Sequence, residues 1–357
     1  MKQIQKILIA FIVTTILCLM YFHSPAQSMY YASTPEELQQ IVKDAERLEI
    51  PEIDYRSSAR VTRPIIYPAK LKAGYLNVRL SGFQLCDSTF AYRMPPDQNA
   101  ADNIYNSQPI RFYNPNAVGK GIGSFAEMGA TLGFTVRDGQ IKGFKDGIKL
   151  WFSLYAVIDN MKFINNTRSG ISINGGGNWT NANGVAGTSN ANSNCTSGRN
   201  IRIVPAPGAF CGLEVINSLT SWDNISIELA EVTGTCKYGI FYDHTFEDKT
   251  ATNTKEITFE DLYFEIKCDS SLIKASTREG MFTIRSCTVV KGSQRFIDAT
   301  SIGNTRFEIQ GMSRGSNVKF KGDKNGFWRI YPYPGNTNYS KPEMWDGTKP
   351  PNIQIYS

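Results

Sequence analysis

Histidine is almost missing from this chain: His23 and His244 are the only two among 357 residues. That excludes a His-rich metal site and any mechanism that needs a histidine pair. There is no GxxxxGK[ST] loop and no HExxH helix, so two common phosphate and zinc signatures are absent. Neither sign of charge dominates. The 38 basic and 32 acidic residues give +6, and removing Lys2 and Lys6 leaves +4 on an interspersed body. Without a basic cluster to track phosphates, nucleic acid is not an expected partner. The seven cysteines show no CxxC spacing, which argues against zinc. No heptad or other trimerising segment is visible, and a homo-oligomer stays open. Still, 41% hydrophobic and 20% charged residues describe a chain that folds.

What is present begins with an address. Lys2 and Lys6 precede an apolar run from Ile7 to Phe22, and the small residues Ser24, Ala26 and Ser28 follow. This pattern describes a secretory signal over residues 1–28. An uncleaved membrane anchor through residues 7–22 is the alternative, although that run spans only about 24 Å of a roughly 30 Å hydrocarbon core. Both readings place the body outside the cytosol: secreted, membrane-anchored or on a virion surface. In an oxidising compartment some cysteines pair; the alternative is buried free thiols.

The middle of the chain repeats. Asn160-Met161-Lys162-Phe163 leads to Gly170-Ile171-Ser172-Ile173. Asn200-Ile201-Arg202-Ile203 leads to Gly212-Leu213-Glu214-Val215, and Asn224-Ile225-Ser226-Ile227 to Gly239-Ile240-Phe241-Tyr242. Weaker copies stand at Asp138, Asp261 and Ser286. The markers 138, 160, 200, 224, 261 and 286 are separated by 22, 40, 24, 37 and 25, a period of 22–25 with two insertions. The larger insertion, 174–200, has 20 Asn, Gly, Ser or Thr among 27 residues, and its part 174–198 reads as a protruding loop. The smaller is the stretch 243–255. Strands this short are unstable alone. They bury one face only by coiling, each copy pairing in parallel with the next at about 4.8 Å. Asn at a fixed point suits an αL turn, and the Gly opening the second strand suits a corner with positive φ. Alternation sends Ile171, Ile173, Leu213, Val215, Ile240 and Tyr242 inward.

This Asn-Φ-x-Φ and Gly-Φ-x-Φ coil resembles the right-handed parallel β-helix of the pectin-lyase-like superfamily, which phage tailspikes and virion-attached proteins share. The resemblance covers roughly residues 60–325. It implies an all-β, single-stranded right-handed parallel β-helix and says little about activity. The expected organisation is a signal or anchor at 1–28, a capping helix and lead-in at 29–59, the β-helix at 60–326 and an irregular tail at 327–357. The helix has Thr34 as N-cap, Pro35 at N1 and Glu37 at N3. Leu38, Ile41, Val42 and Leu48 form its apolar face. The tail carries five prolines from Pro332 onward.

On the outward face of the Gly-Φ-x-Φ strands the x positions read Lys149, Ser172, Glu214, Phe241, Lys274 and Asp298. A polar stripe with an aromatic suits a sugar-binding groove, and it is also what a plain solvated face looks like. Trp179, Tyr333 and Trp345 are further candidates for stacking on sugars. Catalysis has weaker candidates in Glu214 with Asp243, and in His244 beside Asp243. The resemblance implies paired aspartates and a Gly-His-Gly for polygalacturonase chemistry. Here those slots hold Asp146 alone and Arg168-Ser169-Gly170. Lyases of this fold hold calcium on carboxylates; no acidic triplet on adjacent coils stands out, so no cofactor is expected, and calcium stays open as an alternative without support in the pattern. Stacked coils suggest a Cys211–Cys236 disulfide, with Cys195–Cys211 as the rival. The reading is an extracytoplasmic or virion-associated, non-catalytic β-helix that presents a surface to a polysaccharide, a surface glycan or other surface proteins. A secreted polysaccharide lyase or glycoside hydrolase is the alternative, and a structural part of a viral shell or surface layer is the second alternative.

Overall fold

The computed structural model describes residues 29–56, 65–66, 71–73, 76–80, 84–86, 110–112, 131–132, 134–151, 153–174, 177–180, 186–189, 193–228, 235–244, 256–278, 280–291, 295–301, 305–312, 319–322, 326–332, 345–347 and 349–356. The signal or anchor segment, residues 1–28, lies outside them. Among the described residues no helix is long and apolar enough to cross a membrane.

Among the described residues nearly all the strands lie in two parallel sheets, one of thirteen strands and one of nine. From Phe134 onward the chain alternates between them: Phe134–Lys142 in the first, Asp146–Trp151 in the second, Val157–Ile164 in the first, Ser169–Asn174 in the second. The alternation continues through Cys211–Ile216, Cys236–His244, Cys268–Thr277 and Arg295–Ser301 on the second sheet. Each repeat unit thus gives one strand to each sheet and pairs in parallel with the unit before it, consistent with a parallel β-helix.

Alternation sets which side chains are buried. On the second sheet Ile148, Ile171, Leu213, Ile240, Ile273, Ile297 and Phe320 stand in one register column. All are fully buried. Ile173, Val215 and Tyr242 form a second buried column. The six inward positions expected from the repeat therefore all face the core. Burying each such side chain contributes about 1.5–3 kcal/mol. On the first sheet the inner column runs Ile158, Gly198, Trp222, Phe259, Ile284, Ile309 and Ile330.

The six marker residues are the left-handed positions of the first sheet. Asp138, Asn160, Asn200, Asn224, Asp261 and Ser286 have φ between 50° and 59°. The ladder skips each of them in register. Gly311, at φ 61°, extends the column by one unit. At each the in–out alternation slips: Arg199 before Asn200 is exposed, yet Ile201 after it is buried. Asn and Asp tolerate this geometry better than other side-chain-bearing residues. Here they also bridge units: Asn160 Nδ2 donates to Asp138 Oδ1 and Asn224 Nδ2 to Asn200 Oδ1, both at 3.0 Å.

Several expectations need correction. The glycines that open the second-sheet strands, Gly147, Gly170, Gly212 and Gly239, do not have positive φ. They are required by space. A Cβ on Gly212 would sit 2.9 Å from the Gly239 carbonyl oxygen, and one on Gly239 2.7 Å from that of Leu272. The insertion is shorter than composition suggested, because Ser193–Val204 is a single first-sheet strand whose Ser193–Gly198 part pairs with Ser218–Trp222. Hydroxyl-rich sequence reads as loop, but here Gly198 makes room for the Trp222 ring. What remains of the insertion contains an antiparallel pair, Gly177–Thr180 with Ala186–Ser189. Within the smaller insertion, Asp243 and His244 belong to a strand.

The ends also differ. Strands Met29–Ala32 and Glu52–Tyr55 already belong to the first sheet, on either side of the helix Pro35–Asp44. Thr34 accepts a hydrogen bond from the Glu37 amide, and the Glu37 carboxylate accepts from the Ser33 amide and hydroxyl. Leu38 and Val42 are buried, but the helix ends before Leu48, which is 48% exposed. Ile50 takes the core position instead. The tail is not irregular throughout. Phe327–Pro332 and Ile353–Ile355 continue the first sheet, with Pro332 closing the first strand and Pro350 and Pro351 ahead of the second. Trp345 is buried against Phe320 and Trp328, with ring centroids 5.4 and 5.3 Å away, so it cannot stack on a sugar. Tyr333 and the Trp179 side chain lie outside the described residues.

Candidate functional site

The six outward positions read from the sequence form one register column on the second sheet: Lys149, Ser172, Glu214, Phe241, Lys274 and Asp298, in that order. The column is not a uniform solvated stripe. Ser172, Glu214 and Asp298 are buried, whereas Lys149, Phe241 and Lys274 are half-buried.

At one end Arg168 organises the face. It follows the strand Val157–Ile164 and enters the second sheet beside Ser169. Its Nη2 donates to both Glu214 oxygens at 2.6 and 2.7 Å, and its Nη1 donates to Asp146 Oδ1 at 2.6 Å. Ser172 donates to Glu214 and Ser169 to Asp146, both at 2.5 Å. Burial opposes ionisation of Asp146, but Arg168, Lys149 and the Ser169 hydroxyl outweigh it and hold the carboxyl below its ordinary range. Burial likewise opposes the Arg168 charge, and the two carboxylates more than restore it. Glu214 is therefore the anchor of an ion-paired network rather than a free acid. Asp243 is in register with Ile216, two residues along from the partner of Glu214, so the two carboxylates share a face diagonally. His244 is 2% exposed, with its ring stacked 6.3 Å from that of Tyr242. It is part of the packing and is not placed to take a proton from an external substrate.

At the other end Asp298 collects cations. Lys274 Nζ lies 3.1 Å away, Arg295 Nη1 3.3 Å and Lys321 Nζ 3.6 Å. Arg295 also pairs with Asp346. That contact, first among several, lowers the Asp346 carboxyl below its ordinary range.

Between these two networks sits an aromatic cluster. Phe210, Tyr238 and Phe241 are all half-buried. Their centroids are 5.6 Å apart for Phe210–Tyr238, 4.9 Å for Phe210–Phe241 and 5.4 Å for Tyr238–Phe241. Lys237 Nζ lies 5.8 and 5.4 Å from the Phe210 and Tyr238 rings, and the Arg168 guanidinium is 5.9 Å from Phe210. The sequence pattern picks out Phe241 but not Phe210 or Tyr238. The signal was there: both lie just before the strand-opening glycines Gly212 and Gly239, where successive copies of the repeat place residues on neighbouring rungs.

The first sheet carries a groove of ≈ 560 Å³. Ser197, Ser221 and Thr258 stand in one column along it, and Arg199, Asp223 and Glu260 in another. Arg199 pairs with Asp159 at 2.9 Å and Glu260 with Arg285 at 2.5 Å. Asp223 and Glu260 occupy adjacent rungs.

The expected Cys211–Cys236 bridge is not formed, and both residues are free thiols, as is the rival partner Cys195. Cys211 is in register with Tyr238, which leaves Cys236 two residues off. Two residues of rise combined with one rung separate the Cα atoms by roughly 8 Å, beyond the 4.4–6.8 Å a disulfide spans. Among the described residues no group of three or more His, Cys, Asp or Glu side chains is arranged to hold a metal ion.

No family model matches this chain, and no curated protein sequence does. Among solved structures, the chain is similar to the crystal structure of the Agl-KA catalytic domain, at 13% identity and a TM-score of 0.40. The match covers 91% of this chain and 66% of that domain, so the chain spans just under two-thirds of its length. A likeness this distant carries no argument about activity.

Proposed function

We propose that this protein is a right-handed parallel β-helix, working outside the cytosol, that presents the outer face of its second sheet to a polysaccharide or surface glycan without turning it over. The signal-like segment at residues 1–28 motivates the location. One observation carries the binding reading: Phe210, Tyr238 and Phe241 form a half-exposed aromatic platform. Arg168–Glu214 flanks it on one side and Lys274–Asp298 on the other. Ring faces offer apolar area to the C–H faces of a pyranose, while fixed polar groups beside them can meet its hydroxyls. Asp146, Glu214 and Asp298 on this face are ion-paired, which suits recognition better than proton transfer. No cofactor is needed. A pull-down against insoluble neutral and acidic polysaccharides tests the reading. Wild type should be retained on at least one, and Phe241→Ala should lose most of that retention. Equal retention of both proteins would remove the platform as the site.

A glycoside hydrolase is the second reading, and the first-sheet groove favours it. Asp223 and Glu260 lie on adjacent rungs beside that groove. Backbones about 4.8 Å apart let two carboxyl groups reach the separations glycosidases use. New reducing ends from a polysaccharide, abolished by Asp223→Asn, would establish this reading over the first.

A further inference from the structure

Cys236 and Cys268 open consecutive strands of the second sheet and stand directly opposite each other in register. Both are buried, and their sulfur atoms are 3.5 Å apart. Adjacent parallel strands hold facing Cα atoms about 4.8 Å apart, within the span of a disulfide. Cys211, on the neighbouring strand, faces Tyr238 instead, so the register selects one pair from three nearby thiols. We propose that Cys236 and Cys268 are the site of a covalent modification, a disulfide that staples these two rungs. The staple ties the strand that carries Tyr238 and Phe241 to the strand that carries Lys274, and so holds their relative position. It does not depend on the glycan reading.

The chemistry is thiol–disulfide exchange with a small-molecule disulfide. One cysteine thiolate attacks a sulfur of the oxidant, releasing the first small thiol and forming a mixed disulfide. The second thiolate displaces the remaining small thiol and closes the bridge. The protein loses two protons and two electrons, and the small disulfide becomes two thiols. In the closed fold both thiols are buried away from any small-molecule oxidant, and the contact with Cys268, then burial, pushes the Cys236 thiol up. The exchange therefore takes place before the coils close, during folding.

The test is peptide mapping under non-reducing conditions. Reduced, denatured protein is refolded in oxidised and reduced glutathione, and protein secreted through an oxidising compartment is mapped beside it. The expected result in both is one cross-linked peptide joining Cys236 to Cys268, with Cys211 free. Dithiothreitol should then lower the melting temperature of wild type but not that of Cys268→Ala. Free thiols at both positions in folded protein from either route, or a bridge from either residue to Cys211, would overturn the proposal. The mapping needs no variant, so a failure of Cys268→Ala to fold does not affect it.

Discussion

Single residues decide most of what this face can do, and Arg168 decides the most. Its guanidinium is the cation nearest the buried carboxylates of Asp146 and Glu214. Arg168→Ala would take the ion pair from both, leaving the Ser169 and Ser172 hydroxyls and Lys149 as partial substitutes, and a cost of about 3 kcal/mol at neutral pH is expected, checked by urea unfolding. The same pair sets the acid limit. The Asp146 carboxyl is lowered in the fold from an ordinary value of 3.8. Its contribution is therefore complete above that value and is lost as pH falls through the lower folded one. Arg168→Ala removes much of the lowering, so its acid-unfolding midpoint should move to higher pH. An unchanged midpoint would mean the network does not stabilise the fold. Gly212 acts through space alone. Its missing Cβ would lie 2.9 Å from a carbonyl oxygen of the next rung and 3.1 Å from Ile227 Cγ2. Gly212→Ala should cost about 1–3 kcal/mol by overpacking, again read by urea unfolding. A neutral effect would show that the rungs are further apart than described.

At the scale of elements, the repeat was the part most legible in the sequence. Six marker residues, picked by spacing, are six left-handed positions, because αL geometry restricts residue choice and so leaves a trace. The outward column was legible for the same reason: one strand position per unit, counted from a glycine. What was not legible depended on partners distant in sequence. The strand Ser193–Gly198 reads as loop by composition and is a strand because Trp222 packs over Gly198. The cysteine pairing failed by two residues, since the position of Cys236 within its strand is fixed by pairing and not by its distance from Gly239. Burial of Ser172 and Glu214 was equally invisible, because it comes from Arg168 and neighbouring rungs. The redrawn insertion yields a prediction. Replacing residues 175–192 with a short Gly-Ser link leaves every pairing of both large sheets in place. The shortened chain should fold with a melting temperature within a few degrees of wild type, because loop length costs only about 0.6 kcal/mol per doubling. Aggregation of that chain would show that the antiparallel pair supports the stack.

On the scale of the whole molecule, the two sheets present different chemistry outward from a shared core. The first carries a ladder of charges, with Arg137, Asp159, Arg199, Asp223, Glu260 and Arg285 on successive rungs. The second carries aromatics between two ion networks anchored on buried carboxylates. A stack of rungs holds such features at fixed intervals, which suits recognition of an extended, repeating ligand. The C-terminal end of the core is closed by rings, with Phe307 stacked 4.6 Å from Trp328 and Trp328 edge-on to Trp345. The most direct test of the central claim is a crystal structure with a bound oligosaccharide taken from whichever polysaccharide retains the protein. The expected result is a sugar ring lying on Phe241 and Tyr238, with its hydroxyls hydrogen-bonded to Arg168 or Lys274. A sugar lying instead along Ser197, Ser221 and Thr258 beside Asp223 and Glu260 would contradict it.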